Sequence, residues 1–456
     1  METHMFSTEI SGTLRKKVIV LDDLLNDYYT QQREIDINAC KKAKVSKRYS
    51  SDEEDEKNEK GNETKLTEMA DECEKQVYQI TAEHEIPMWG QEIFGQQKSF
   101  PLVGIMQLQN CKLFQPSREN ELDFDELTSE QGNGETILEE LLINGWLSHI
   151  AFISGSVEAS VASWTFYQAM YCSNEELELS ACDFWCRMLL SKNEAGGPSI
   201  VLEWVPGFHE VKDVLEFYGY LFDKCQIVGP SSSSTSRESA GEGPPTNMRS
   251  WIKILSACFQ IRQFQSLFSA SEAQELLAVI ICLFLERQLQ GLSFILTECL
   301  QSILSFFTED EWNVSCENVA HSVAYSVPKD HNSLRVVECI FGTNSRSKQL
   351  RSRMAVHILG SIFNKNVSDE KGILKSLVSV KVKDKNTDFL TIYIYIILSE
   401  IWLLSYDDSG EERFAMLNMW GKFLQICSSD ISNTDWRPYA SKVRSKASYL
   451  LQSSAY

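Results

Sequence analysis

From about residue 135 to residue 451, apolar residues return every three or four positions, the spacing that lays one face of an α-helix on a core. The pattern predicts helices over Glu135–Ile150, Glu158–Cys172, Ser180–Leu190, Phe208–Asp223, Ser250–Phe268, Ala273–Gln288 and Leu292–Phe307. It predicts more over Glu309–Tyr325, Ser333–Phe341, Lys348–Asn364, Thr387–Ser405, Glu412–Cys427 and Asp435–Leu451. Thr308 and Glu311 have the spacing of a capping box, in which hydroxyl and carboxylate each satisfy a free backbone amide. Upstream, Ile93–Phe94 and Phe100–Leu108 read as extended or irregular. The longest apolar runs are Leu276–Leu285, too short for a bilayer, and Phe389–Leu404, broken by Ser399 and Glu400; both read as buried helices, and no membrane is expected. The expected fold class is all-α: many helices in packed layers, with a HEAT-like stack as one arrangement, although no repeat period marks it.

Residues 1–85 have a different texture and are expected to form a largely disordered tail, with the helical domain covering 86–456. Within the tail, Val20, Leu21, Leu24, Leu25 and Tyr28 recur at helical spacing among Asp22, Asp23 and Asp27. A lone short helix is marginal in water. This one is expected to order either in a partner's groove or on the chain's own folded domain, and the residues favour neither. Lys41, Lys42, Lys44, Lys47 and Arg48 form a basic run that resembles a nuclear localisation signal; the alternative is a solvated cluster balancing the acids behind it. Ser50 and Ser51 directly precede Asp52-Glu53-Glu54-Asp55-Glu56, a setting acidophilic kinases favour, where phosphate would add negative charge. Met1–Leu14 is polar and the apolar run Val18–Leu21 meets Asp22 at once, so no secretory leader is expected. A Ser/Gly/Pro stretch at 229–247 reads as a flexible insertion.

Composition narrows the function. A formal net charge of −21 opposes sequence-independent coating of DNA or anionic lipid, so any nucleic-acid contact needs a local basic patch or a partner. Only 10 Pro and 22 Gly argue against a many-stranded β protein. The 13 cysteines lack paired spacing, as buried thiols of a reducing compartment do. Cys182 and Cys186 lie one turn apart without a second pair, and Cys316 with His321 is an equally weak set, so no metal is expected. His209-Glu210 leads to Asp213 where a zincin helix needs its second His. There is no P-loop, no Gly-x-Gly-x-x-Gly and no nucleophile elbow. His149, His321 and His357 sit in apolar helical contexts and read as core histidines. No catalytic residue and no cofactor are expected; an enzyme with an unrecognised site is the alternative of a different class.

One cluster stands out. Arg346, Lys348, Arg351 and Arg353 occupy a loop and the first turns of the helix whose apolar face begins at Leu350 and Met354. Cations there oppose the helix dipole at about a few tenths of a kcal/mol each. Pairing with the protein's own acids comes first as a reading, and docking to an acidic protein or a phosphate backbone second.

Trp204-Val205-Pro206-Gly207-Phe208 places Trp and Pro before a helix running toward Gly219. Ser333–Cys339 leads into Leu350-Arg351-Ser352-Arg353-Met354-Ala355. With Leu21-Asp22-Asp23-Leu24-Leu25, these stretches resemble the CANIN family, the coiled-coil SMC- and Nse-interacting domain, in its plant-type Nse-six-like members. The resemblance implies a helical, non-catalytic, nuclear subunit of the Smc five–six complex that acts in DNA repair. It implies pairing with an Nse-five-type subunit and SMC subunits, with DNA contacted indirectly or through the basic patch. It casts Trp204, Pro206 and Gly219 as structural residues. Ser352 parts two arginines that the family pattern sets together. The alternative is a helical scaffold of another nuclear or cytosolic complex.

Overall fold

The structure, a computed structural model, describes residues 89–99, 133–191, 200–222, 243–261, 266–405 and 411–453. Among them, fifteen α-helices follow one another. The first eight are α1 (Asn133–Ile143), α2 (Trp146–Ser154), α3 (Ala159–Tyr171), α4 (Glu175–Leu190), α5 (Phe208–Phe217), α6 (Met248–Gln260), α7 (Ala270–Leu283) and α8 (Ser293–Phe306). The rest are α9 (Glu309–Ser326), α10 (His331–Glu338), α11 (Ser345–Phe363), α12 (Glu370–Val378), α13 (Phe389–Leu404), α14 (Glu411–Ser429) and α15 (Ala440–Ser453). Two short strands, β1 (Ser156–Val157) and β2 (Val201–Leu202), pair in parallel. Alternate helices are the main neighbours: α4 packs on α6 and α6 on α8, while α7, α9, α11, α13 and α15 form a second succession, each against the next. This is the order of a helical stack, in which each added helix covers the apolar face of the one before.

Capping side chains set where helices begin. Thr308 Oγ1 accepts from Glu311 N (3.3 Å) while Glu311 Oε2 accepts from Thr308 N (2.9 Å), the reciprocal pair expected from their spacing. Ser269 and Glu272 form a second box at α7. Asn174 caps α4 five residues earlier than apolar periodicity indicates, because its first turn carries Glu175, Glu176 and Glu178, charges the helix dipole favours there. Asn344 caps α11, so Arg346 belongs to the helix and not to a loop. The helix expected over 135–150 is two helices, broken at Gly145, whose φ is 75°. α12 fell outside the expected set.

The insertion expected to flex through residue 247 is built from Gly243 onward. Asn247 is buried and donates through Nδ2 to Ala169 O (3.2 Å) and Cys172 O (2.9 Å), locking the start of α6 to the end of α3. Residues 223–242 lie outside the described set, as do 100–108 and the tail.

The core is continuous and rich in aromatic side chains. Trp164, Trp185, Trp251, Trp312, Trp402 and Trp420 are fully buried. Three of their indoles find acceptors across helices: Trp251 on Val211 O, Trp312 on Gln349 Oε1 and Trp420 on Ser399 Oγ. The two long apolar runs are buried in α7 and α13 as expected. The run Arg287–Phe306 is long and apolar enough, by length and composition alone, to cross a membrane. Its Leu296, Cys299, Leu300, Ile303 and Leu304 are buried where α8 meets α6 and α7.

Candidate interaction surfaces

The basic cluster of α11 is largely spent inside the molecule. Arg346 Nη1 donates to Leu304 O (2.8 Å), a carbonyl freed at the end of α8, and its other nitrogen meets Glu309. Arg351 Nη1 donates to Ile340 O (2.7 Å) just after α10. Arg353 Nε lies 2.8 Å from Glu317 Oε1, and the second oxygen of Glu317 lies 2.9 Å from Nε2 of the buried His357. The hydrogen bond with His357, aided by the Arg353 charge, holds the Glu317 carboxyl below its ordinary range. Lys348 is exposed and has no ion partner among the described residues. Three arginines therefore tie α11 to α8, α9 and the loop after α10, and one lysine faces water.

Trp204 and Pro206 work at the start of α5. The Trp204 ring meets Phe166 (5.6 Å between centroids) and Trp185 (6.0 Å) edge-on, and Pro206 is buried beside it. Gly207 N donates to Glu210 Oε2 (3.0 Å), so Glu210 caps the start of α5. α5 ends at Phe217, short of the expected Asp223, because the chain there turns to pair with residues 93–98. Gly95 N donates to Gly219 O (2.8 Å) and Leu221 N to Ile93 O (2.9 Å). Gly219 has φ +85°, and a Cβ on it would sit 2.8 Å from Gln96 O.

A surface that sequence periodicity leaves unmarked lies on α2. Leu147 and Ala151 face inward, while Trp146 is 59% exposed and Ile153 75%. Trp146, His149, Ile150 and Ile153 share one face by their spacing. Ile150 also lines a groove of about 230 Å³ with Leu147, Val157, Val161 and Phe184. The groove is apolar and open, and solvent-exposed Trp146 and Ile153 stand on the same helix. The signal that could have found it is the sequence Trp146-Leu-Ser-His-Ile-Ala-Phe-Ile, which carries apolar residues on more faces than one core contact uses.

No His, Cys, Asp or Glu cluster able to hold a metal occurs among the described residues. A second groove, about 320 Å³ between α7 and α9, is lined by Gln274, Asn318, Ser322 and Glu275, the last paired with Lys212 at 2.7 Å. His149 and His321 are exposed, not core; His321 lies against Tyr325 (4.5 Å between centroids), and only His357 of the three is buried. The nine described cysteines are free thiols, and burial pushes Cys258, Cys316, Cys339 and Cys427 each up to about 12, which keeps them protonated and unreactive.

Leu21, Leu24, Leu25, Tyr28, the basic run Lys41–Arg48, Ser50 and Ser51 lie outside the described residues. A family model, the Coiled-coil and Nse Interacting (CANIN) domain, matches residues 15–368. The match takes in the Leu21–Tyr28 segment and runs through α11, leaving α12–α15 beyond it. Neither a search of the curated proteins nor one of the solved structures finds a match to the chain.

Proposed function

The chain belongs to the CANIN family, and from that membership we propose that it is a non-catalytic adaptor or loader subunit of the Smc five–six complex. In this reading it acts in the nucleus, in DNA repair and chromosome maintenance, and pairs with an Nse-five-type subunit. The observation that carries it is the family match over residues 15–368, whose description is one of interaction with Nse proteins. The helical stack supports the reading, since such stacks offer extended faces to partners. So does the apolar face of α2, which leaves Trp146 and Ile153 in water beside an open groove. An amphipathic helix of the Nse-type partner fits there, with its apolar stripe over Trp146, Ile150 and Ile153.

The tail residues complete the picture. Leu21, Leu24, Leu25 and Tyr28 supply a second, helix-in-groove contact to the complex, Lys41 to Arg48 direct import, and phosphate on Ser50 or Ser51 tunes that run. Affinity purification of the tagged full chain from nuclear extract, read by mass spectrometry, tests the whole. SMC-complex subunits are the expected companions; a reproducible set of unrelated partners, or none, contradicts the proposal.

A further inference from the structure

The acidity of this protein is unevenly placed. Residues 365–456 carry 12 Lys and Arg against 11 Asp and Glu, so the whole deficit of −21 lies before them. From Trp436 to Ser453 there is no acidic residue at all. This stretch lies beyond the family match, which ends at residue 368.

Basic and aromatic side chains are interspersed along it. Trp436 is 55% exposed and Tyr449 63% exposed, large rings left in water. Lys442 Nζ stands 4.6 Å from the Tyr439 ring, and Lys446 Nζ stands 5.9 Å from that of Tyr449. Lys442, Lys446 and Tyr449 share one face of α15 by their three- and four-residue spacing. Tyr439 precedes the helix at φ 64°, a conformation uncommon for a residue with a side chain.

A second loop is fastened alongside. Arg437 Nη1 donates to Asp384 O (2.7 Å) and Lys385 O (3.2 Å), and its other nitrogens hold Asp435. This brings the exposed Lys381, Lys383 and Lys385 to the start of α15. Two of the local acids are paired with cations, Asp435 with Arg437 and Asp430 with Lys383 (3.3 Å), while exposed Asp384 and Asp388 accept backbone amides and keep their charge. Glu400 is taken by Lys446 at 2.8 Å. Lys381, Lys385 and Lys442 have no ion partner among the described residues.

We propose that this end of the molecule binds single-stranded nucleic acid without sequence preference, phosphates resting on Lys381, Lys385 and Lys442 and bases stacking on Trp436 and Tyr449. Lysines are point charges suited to phosphate at any sequence, and Arg437, whose fork could read base edges, is already engaged. A free lysine beside a ring, as Lys442 is beside Tyr439, with the exposed rings of Trp436 and Tyr449 in the same stretch, is a composition on which bases stack, since every base has a π-face. An acidic peptide would use the lysines but gain little from the rings. The acidic remainder of the chain confines the contact to this end.

Fluorescence polarisation of the full chain with a labelled oligothymidylate tests the proposal. Binding is expected at 50 mM salt and falls roughly 20-fold at 200 mM, as neutralising three phosphates requires. The charge reversal K381E/K385E/K442E abolishes it, and W436A/Y449A weakens it about tenfold or more. R249E on α6, an exposed cation with no place in either basic cluster, leaves binding unchanged. Circular dichroism shows each variant folded, all the altered side chains being at the surface. Absence of binding at 50 mM salt, retention in the triple variant, or equal loss with R249E overturns the proposal. Displacement by a polyglutamate peptide together with full binding by W436A/Y449A also overturns it, and assigns the surface to an acidic protein.

Discussion

Gly219 shows how one residue holds two distant stretches of the chain together. Its positive φ excludes a side chain without strain, and the missing Cβ is the space into which the carbonyls of Gly95 and Gln96 fit. Gly219→Ala is expected to cost about 1–3 kcal/mol and to loosen residues 89–99 first. Urea titration gives the loss, and hydrogen exchange of the Gly95 and Leu221 amides gives its location. Glu178 makes a different point. It is buried, and burial lifts its carboxyl above the ordinary value, only partly offset by the hydrogen bond from Ser250 (2.7 Å). A raised folded-state pKa favours the protonated fold, so its contribution is full below the unfolded value and lost as pH rises through the folded one. Glu178→Gln is therefore expected to stabilise the protein at pH 7, with the gain vanishing toward pH 4, in urea midpoints at both pH values. Legibility at this scale was mixed. The Thr308–Glu311 box could be read from two residues three apart because its hydrogen bonds are local. Arg346, Arg351 and Arg353 could not be assigned partners, because Leu304, Ile340 and Glu317 lie on other elements and no local rule joins them.

At the scale of elements, most helices were legible because each buries one stripe, and the misreadings have physical causes. α5 stops at Phe217 because pairing with residues 93–98 takes over, a tertiary contact that helix spacing does not encode. α12 presents only Ile373, Leu374 and Leu377 to the core, too short a stripe to separate from a loop. α2 begins inside the longer helix that spacing predicts over Glu135–Ile150, and its outward apolar face carries no separate signal there. That face carries the element-scale prediction. Trp146→Glu with Ile153→Glu adds charge to side chains already in water, so the unfolding free energy from urea titration should change by less than about 0.5 kcal/mol. Capture of the partner should fall tenfold or more, since large aromatic anchors dominate interfaces. Urea titration of the purified double variant checks the first and pull-down the second, each against the unaltered chain.

For the whole molecule, all-α architecture followed from periodicity alone, and the succession of alternate helices gives it the form of a stack. What periodicity does not carry is which faces remain uncovered; that depends on where α2 and α15 end up at the margins of the stack. The family match supplies the partner class, and the uncovered face of α2 is the place proposed to hold it. The most direct measurement is sedimentation velocity of the purified full chain mixed with the Nse-five-type subunit of the same organism. The account expects one heavier species that the Trp146→Glu, Ile153→Glu variant does not form. Two independent boundaries from the unaltered pair, at concentrations of several micromolar, would contradict it.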